Sequence, residues 1–264
     1  MNFGITTFGG DGGKSGISQY IINLLTQFNT IADHHSFDLF LYEQERDVFL
    51  NEDSRFAPLT FSERLRNPLV NIAWHQFGLS KWCRRRKYDA IFLPAGNRRL
   101  PWKAPCPTVG TVHDFSSLHV PGKYDWKRMF YIRKVLPPLI RNLTRVVTVS
   151  ESSKRDIVDY VGVRDEKVDV IYSAVDHDFY FPSDRDEARA DIEEKYGVTQ
   201  PYILYVSRLE HPGKNHVRLI EAFDLLKDRH DVPHQLLLAG SDWNGSEMVH
   251  QRAQQSGFSK DIIF

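Results

Sequence analysis

Arg208 and Lys214 stand on either side of a short polar turn that contains Pro212 and Gly213. The turn follows an apolar run, residues 202–207, which is typical of a strand buried on both faces of a parallel sheet. Open α/β sheets bind ligands at the carboxyl ends of their strands, and cations beside a helix amino terminus attract phosphate. The pattern predicts a phosphate clamp, although solvated charges flanking a helix would have the same sequence.

A glycine-rich loop follows the first apolar strand, residues 3–8, and precedes an amphipathic helix over 17–28. Its glycines, Gly12 and Gly13 among them, would let backbone N–H groups approach an anion. The loop matches neither common fingerprint, because Phe8 replaces the first glycine of G-x-x-x-x-G-K-[ST] and Ser15 replaces the last glycine of G-x-G-x-x-G. A P-loop-like NTPase built on residues 9–15 and a glycine turn without a ligand remain alternatives.

Two further pairs of polar residues follow apolar strands. His113 and Asp114 come after the strand 108–112, where an imidazole can act as acid or base or donate to a reacting oxygen. The same pair could instead cap the next turn. Ser150 ends the strand 145–150 and is a candidate helix N-cap, and Glu151 falls in the first helical turn, where the helix dipole favours a carboxylate.

The composition excludes several classes of protein. Lys plus Arg equals Asp plus Glu at 34 each, so no overall field favours nucleic acid. Two cysteines without metal-ligand spacing argue against a disulfide scaffold. We find no leader sequence and no membrane-spanning run, and we therefore expect a cytoplasmic protein. A basic run could provide peripheral contact with the inner face of a membrane or bind an acceptor phosphate, although a solvated helix end is the simpler interpretation: Arg84, Arg85, Arg86 and Lys87.

Strands and helices alternate along the whole chain, which predicts an α/β fold with mostly parallel sheets. The charge-rich segment 183–200 has the composition of a linker. We therefore predict an amino-terminal Rossmann-like domain over 1–182 and the first part of a second one over 201–264. The second sheet would be incomplete, with two or three strands and an unpaired edge.

Short motifs in a specific order resemble a known family: Gly12, Gly13 and Tyr20, T-V-H-D over 111–114, T-V-S-E-S-S-K-R-D-I over 148–157, V-I-Y-S-A-V-D over 170–176, Y-V-S-R-L over 205–209 with G-K-N over 213–215, and L-L-L-A-G over 236–240. The chain resembles, along essentially its full length, a family-4 retaining glycosyltransferase of the GT-B type. Ser207 and Ala174 depart from the pattern, since the family usually has glycine at both positions.

The resemblance implies that a sugar moves from a nucleotide-diphosphate sugar to a glycan or lipid-linked acceptor, with retention of configuration, in polysaccharide or lipopolysaccharide assembly. It assigns the donor diphosphate to Arg208 and Lys214, the donor or acceptor to the loop at Gly12 and Gly13, and the reacting sugar to His113. It also implies that no cofactor or metal is needed. The D-R-D formed by Asp184 and Asp186 lies in the predicted linker, so we predict no metal site there.

The family's acidic E-x7-E motif, which holds the donor's ribose and sugar, has no match in these 264 residues. We therefore expect a chain truncated within its second domain, with weak or no transfer activity by itself. A non-catalytic nucleotide-binding module with a degenerate cleft is the alternative function. The sequence does not specify the sugar, the nucleotide base or the acceptor.

Overall fold

The computed structural model describes residues 1–31, 34–97 and 99–264. Contacts between residues divide the chain into two compact units. The first unit comprises Met1–Phe115 and Lys127–Asp176, and the second comprises Ser116–Trp126 and His177–Phe264. The domain boundary at residue 183 remains a prediction.

The first unit is built on a parallel sheet of seven strands, which confirms the predicted α/β class. The strands are β1 (Asn2–Thr6), β2 (Ser36–Tyr42), β3 (Phe56–Phe61), β4 (Ala90–Leu93), β5 (Thr108–Thr111), β6 (Arg145–Thr148) and β7 (Val168–Val170). Their order across the sheet is β3-β2-β1-β4-β5-β6-β7. The order reverses between β1 and β4, so the carboxyl ends of these two strands flank the crevice at which doubly wound sheets bind ligands.

The helices of the described residues are α1 (Gly16–Ile31), α2 (Arg46–Phe49), α3 (Pro68–Ala73), α4 (Leu79–Arg86), α5 (Ser116–His119), α6 (Trp126–Phe130), α7 (Leu136–Arg141), α8 (Glu151–Asp156), α9 (Arg185–Tyr196), α10 (His216–His230) and α11 (Ser246–Gln254). Stretches of π-helix join α3 to α4 and α6 to α7, and a third follows α8. Short 3-10 turns lie at Glu43–Glu45, Glu63–Arg66, Asp165–Lys167 and Ser259–Asp261. None of the described helices is long and apolar enough to cross a bilayer.

The apolar spacing of the sequence explains how α1 packs on the sheet. Ile21 and Leu25, four residues apart, lie on the buried face of the helix and join Ile5 of β1 and Leu39 of β2 in one hydrophobic cluster. The predicted helix 17–28 is therefore confirmed and extends to Gly16 and Ile31. This packing fixes the direction in which the glycine loop leaves β1.

One edge strand of the first sheet was missed by the sequence analysis. We detected no element between residues 43 and 62, yet β3 pairs with β2 along its whole length and places Pro58 opposite Leu39. Proline has no backbone N–H to donate to a neighbouring strand, so within a sheet it is compatible with an edge strand. The proline and the polar residues on either side explain why the sequence did not predict this strand.

The second unit contains a parallel sheet in the order β10-β9-β8, formed by β8 (Tyr202–Val206), β9 (Gln235–Ala239) and β10 (Ile262–Ile263). Residues of α10 and α11 cover one face of this sheet, with Ile220, Phe223 and Val249 fully buried. The prediction that β8 is buried on both faces was wrong. Leu204 is 52% and Val206 70% exposed, because the helices pack only on the side of Ile203 and Tyr205.

The segment predicted as a linker, residues 183–200, contains α9. Asp184 caps this helix by accepting hydrogen bonds from the backbone N–H groups of Asp186 and Glu187, at 2.9 and 3.1 Å. No residue of α9 is buried. The charge-rich composition therefore indicated solvent exposure, and the capping residue shows why the segment is nevertheless helical.

A buried histidine lies where α3 passes into α4. His75 is 1% exposed, with its ring 5.0 Å from that of Trp74 and 5.9 Å from that of Phe8. Its Nδ1 lies 2.9 Å from the Asn71 carbonyl oxygen. Burial lowers the pKa of His75 from 6.5 to about 4, with the charge of Arg99 adding to this effect and the Asn71 hydrogen bond opposing it. The folded protein therefore holds this imidazole neutral.

We predict that the free energy of unfolding falls as the pH is lowered from 6.5 towards 4. The unfolded chain binds a proton at His75 in this window and the folded chain does not, so the slope from this residue approaches about 1.4 kcal/mol per pH unit. Urea unfolding at several pH values measures it. His75→Phe should flatten the slope and His177→Phe, at an exposed position, should not. An unchanged slope in His75→Phe contradicts the assignment.

Candidate functional site

The glycine loop at the carboxyl end of β1 is capped by its own aspartate. Gly12 and Gly13 have φ angles of +70° and +91°, which residues other than glycine rarely adopt. The Asp11 carboxylate accepts from the Ser15 backbone N–H at 2.8 Å and from the Ser18 hydroxyl at 2.9 Å. The Asp11 side chain therefore occupies hydrogen-bond donors at the start of α1. The sequence had suggested that an external anion would bind there.

A second carboxylate lies beside the same loop. Glu45 is 2% exposed, and a Cβ added to Gly12 would lie 3.7 Å from Glu45 Oε1. Arg66 Nη2 pairs with this oxygen at 3.0 Å. Burial raises the pKa of Glu45, the Arg66 hydrogen bond and charge oppose this, and the charge of Asp11 adds to it. Two carboxylates repel phosphate, which argues against a P-loop at residues 9–15, whereas carboxylate oxygens accept hydrogen bonds from sugar hydroxyls.

His113 follows β5, and its ring is held by the loop that follows β4. The ring Nε2 lies 2.9 Å from the Pro94 carbonyl oxygen, and the backbone N–H donates to Asn97 Oδ1 at 2.7 Å. The ring of Tyr20, from α1, packs edge-on against it at 4.9 Å. Since a carbonyl only accepts, Nε2 carries a hydrogen, and in the neutral ring Nδ1 holds the lone pair.

The structure gives Ser150, Asp114 and Glu151 different roles. The Ser150 hydroxyl accepts from the Ser153 backbone N–H at 3.1 Å, which confirms the predicted N-cap of α8. It also donates to Ser153 Oγ, which in turn donates to the His113 carbonyl oxygen at 2.9 Å. The Asp114 carbonyl oxygen accepts from Asn97 Nδ2 at 2.6 Å. Glu151 is exposed in the first turn of α8.

The predicted phosphate clamp lies in the second unit, after β8. Arg208 Nη2 forms an ion pair with Glu210 Oε2 at 3.2 Å, and the guanidinium carbon lies 4.8 Å from the ring centre of Trp243. Glu210 is 5% exposed, so it is a buried anchor for an exposed cation. Within the described part of the chain the ammonium group of Lys214 forms no ion pair, and its side chain is exposed next to the first turn of α10.

The turns after β8 and β9 are connected by backbone hydrogen bonds. Leu209 N–H donates to the Ser241 carbonyl at 2.9 Å, and Trp243 N–H donates to the Leu209 carbonyl at 3.0 Å. Gly240 lies where these backbones approach most closely, because a Cβ there would lie 2.0 Å from the Ser207 carbonyl oxygen. The two turns form one rigid platform, and this platform fixes Arg208 relative to Trp243.

Ser207 and Gly213, in the turn after β8, lie against the buried side chains of His216 and Glu210. The Ser207 hydroxyl, at a position where the resemblance expects glycine, lies 3.2 Å from Nε2 of the buried His216. Burial, the largest cause, lowers the pKa of His216, and the Lys214 charge adds to this. A Cβ on Gly213 would lie 2.4 Å from Glu210 Oε1, so a side chain at this position would displace the buried carboxylate.

Three residues that hold Arg208 or His113 in place were not predicted from the sequence: Glu210, Trp243 and Asn97. Glu210 had a detectable signal, because it follows Arg208 by two residues in a turn at a strand end. Trp243 and Asn97 likewise follow the strands β9 and β4 closely, and parallel strands bring such residues to one edge of a sheet. Their partners lie on other loops, and the sequence does not show which loops meet.

We predict that Gly240→Ala destabilises the protein by about 2–4 kcal/mol, because the added methyl group forces the two turns apart. Gly257→Ala is the matched control, since no atom lies within 4 Å of a Cβ built there, and we expect its stability to change by less than about 0.5 kcal/mol. Urea unfolding measures both. Equal stabilities for the two variants would show that the turns can separate without cost.

Comparison with known proteins identifies the family. The model of "Glycosyltransferase Family 4" matches residues 14–179, more than half of the chain, and that of "Glycosyl transferases group 1" matches residues 185–264. The serotype-specific mannosyltransferase WbdA of Escherichia coli is 27% identical over 152 residues, which are 56% of this chain and 18% of that protein. The O-antigen chain mannosyltransferase B of Escherichia coli is 26% identical over 236 residues, which are 86% of this chain and 60% of that protein. The chain thus spans less than two thirds of either relative.

Solved structures share the fold. Anabaena HepE in complex with UDP-glucose matches with a TM-score of 0.67 at 19% identity, over 100% of this chain and 68% of that one. A glycosyltransferase from Rickettsia africae matches with a TM-score of 0.60 at 17% identity, over 100% of this chain and 67% of that one. These similarities confirm the GT-B type of fold. Because the family model covers most of the sheet and loops described above, the chain belongs to glycosyltransferase family 4.

Proposed function

We propose that this chain takes part in transferring a sugar from a nucleotide-diphosphate sugar to a glycan or lipid-linked acceptor, with retention of anomeric configuration. The observation on which the proposal depends is the anchored cation at the end of β8, where Arg208 is held by Glu210 and Trp243 beside Lys214. Family membership supports the reaction class. The names of the Escherichia coli relatives support a place in O-antigen or other polysaccharide assembly.

The two cations suit a departing diphosphate. Negative charge grows on the leaving group as the glycosidic bond breaks, so fixed positive charge stabilises the transition state more than the ground state. Arg208 offers a planar pair of donors, and Lys214 offers a point charge on a flexible stem. Two cations can supply this stabilisation without a metal ion, and we propose a metal-independent reaction.

The first unit supplies the acceptor side of the proposed reaction. Asp11 and Glu45 lie at the Gly12 and Gly13 loop, where they suit sugar hydroxyls better than phosphate. His113 has an oriented ring whose Nδ1 can accept a hydrogen bond or a proton. We assign His113 to the reacting sugar, with Ser150 and Asp114 supporting its backbone through Ser153 and Asn97.

We predict that Arg208→Ala and Lys214→Ala each weaken nucleotide diphosphate binding about tenfold or more, because each removes one charge-assisted contact. Arg218→Ala, at an exposed position of α10, is the matched control and should bind like the unmodified chain. Calorimetric titration with GDP, UDP and dTDP measures binding. GDP-mannose is the first donor to test, since both relatives are named mannosyltransferases. Unchanged binding in both variants would contradict the clamp.

Turnover with the same sugar nucleotides tests the remaining parts of the proposal. We expect transfer by the 264-residue chain to be weak, and robust rates would overturn that expectation. The configuration of any product, read by NMR, tests retention. If nucleotide binding depends on Arg208 but no sugar transfer is detected, even in a longer protein that contains this chain, the chain is better described as a non-catalytic nucleotide-binding module.

The basic run at the end of α4 is the proposed membrane contact. Its four side chains are exposed, but Arg86 is engaged with Asp38, with Nε 3.3 Å from the carboxylate. The guanidinium groups of Arg85 and Arg86 also lie 5.7 and 5.9 Å from the ring centre of Trp82. Arg84, Arg85 and Lys87 are therefore the residues to change if the fold is to be preserved.

We predict that Gln at positions 84, 85 and 87 reduces binding to vesicles containing anionic phosphatidylserine by about tenfold or more, since each basic residue near such a surface contributes about 1 kcal/mol. The control removes the same number of charges from α9 by changing Arg185, Arg189 and Lys195 to Gln. Vesicle flotation at physiological salt measures partitioning. Equal losses in the two variants would indicate a nonspecific charge effect, and no loss would exclude the patch.

A further inference from the structure

A cavity of about 260 Å³ lies in the first unit, beside the helical stretch that joins α3 to α4. Its apolar walls are contributed by Ile72, Leu100, Trp102, Val135 and Leu139. Ile72, Trp102 and Val135 are exposed, so the cavity opens to solvent beside them. None of the described residues that line it belongs to the candidate functional site.

Two of the π-helical stretches contribute to these walls. The stretch Trp74–Gly78 carries His75 and Gln76, and the stretch Tyr131–Val135 lines the cavity with the residues at both of its ends. Single π-helical turns within helices are uncommon and occur frequently at functional sites. The cavity therefore lies where two helices depart from regular geometry.

Hydrogen bonds of Gln76 hold a third wall in place. Its Nε2 donates to the Leu100 carbonyl oxygen at 3.0 Å, and its Oε1 accepts from the Trp102 backbone N–H at 2.6 Å. These bonds fix the segment 100–102 against the helical stretch without help from a ligand. Both polar groups of Gln76 are used in this way, so Gln76 does not direct the choice of a ligand.

The buried polar residue of the lining is His75, which is 1% exposed. The Asn71 carbonyl oxygen lies 2.9 Å from Nδ1 and can only accept, so Nδ1 carries the hydrogen of the neutral ring and Nε2 the lone pair. Within residues 1–31, 34–97 and 99–264, no group donates a hydrogen bond to Nε2. A buried acceptor without a donor is costly, and a ligand that brings a donor would remove this cost.

Size and charge define the ligand further. By proportion with a cavity of about 150 Å³, which holds one benzene ring, this cavity has room for roughly ten carbon atoms. Arg99 also lines it. The charge of Arg99 adds to burial in lowering the pKa of His75, and it opposes the rise that burial causes in the pKa of Tyr131. A positive charge disfavours an ammonium ligand and favours a hydroxyl whose oxygen gains negative charge as it donates, as in a phenol.

We propose that this cavity is a binding site for an apolar phenol of roughly ten carbon atoms, whose hydroxyl donates to His75 Nε2 while its ring packs against Trp102, Val135 and Leu139. The walls supply the apolar contact on which affinity depends, and the single acceptor supplies orientation. The site is separate from the proposed donor and acceptor sites for sugar transfer.

The ligand would also act on a segment that reaches the candidate functional site. Leu100 and Trp102 belong to the connection between β4 and β5, which contains the Pro94 carbonyl and the Asn97 side chain that hold His113. A ligand in the cavity stabilises one end of this connection, and the other end orients His113.

The test compares 1-naphthol, a phenol with ten carbon atoms, with 1-fluoronaphthalene, which has nearly the same shape but no donor. Equilibrium dialysis against the 264-residue chain at neutral pH measures both affinities. We expect one 1-naphthol per chain, and binding of 1-fluoronaphthalene that is weaker by about tenfold or more, because it leaves Nε2 without a donor. Failure of the proposed sugar transfer would leave this result unaffected, because the readout is binding alone.

Matched variants locate the site. Val135→Trp should fill the opening and abolish binding, whereas Val70→Trp, at an exposed position of α3 outside the cavity lining, should retain it. His75→Phe should bind the two compounds about equally, and His177→Phe should keep the preference for 1-naphthol.

Three results would overturn the proposal: no binding of 1-naphthol to the unsubstituted chain, equal affinities of that chain for the two compounds, or equal losses of binding in the two tryptophan variants. The comparison of the two compounds on the unsubstituted chain decides the question even if His75→Phe fails to fold.

Discussion

The buried carboxylate of Glu210 is the constraint around which the second unit's site is arranged. It pairs with Arg208, lies against the Cα of Gly213 and sits in the turn that leads to the buried His216. A buried carboxylate is costly unless it is paired and hydrogen-bonded, so its neighbours are held in fixed positions. One face of the Arg208 guanidinium packs on Trp243 and one edge pairs with Glu210. The side chain is therefore already ordered, and an anion that binds it costs little further conformational entropy.

In the first unit, the candidate site residues are held by contacts between loops. Its site residues lie on loops that follow β1, β4, β5 and β6, and the strand order reverses between the first two of these. Short polar contacts join the loops after β4, β5 and β6: Asn97 Oδ1 accepts from the His113 backbone N–H, and Ser153 Oγ of α8 donates to the His113 carbonyl oxygen. The sheet positions the loops, and the polar contacts lock the loops to one another.

The sequence was sufficient for the elements that follow simple apolar periodicity. Helix α1 and strands β1, β5 and β6 were predicted with small errors at their ends, and Ser150 was identified as a cap from its position alone. Prediction from the sequence failed where contacts between distant segments decide the structure. Strand β3 is stabilised by β2 despite Pro58, and the helices of the second unit cover only one face of β8, so its apolar run did not imply two buried faces.

The same limitation applied to the site. Types and spacing identified Arg208, Lys214 and His113, but the partners of Arg208 and His113 are contributed by other turns: Trp243 from the turn after β9, Pro94 and Asn97 from the loop after β4. The glycine loop was interpreted through its glycines, yet its electrostatic character is set by Asp11 and Glu45. A carboxylate within the loop and another from a neighbouring turn make such a loop less suited to binding an anionic ligand.

The contact between His113 and Pro94 has a stereochemical consequence. An isolated imidazole exchanges its hydrogen between two nitrogens and can present either edge to a partner. Here the Pro94 carbonyl oxygen can only accept a hydrogen bond, so the neutral ring carries its hydrogen on Nε2. The orientation of the ring is therefore set by a backbone carbonyl that no substitution of a side chain removes.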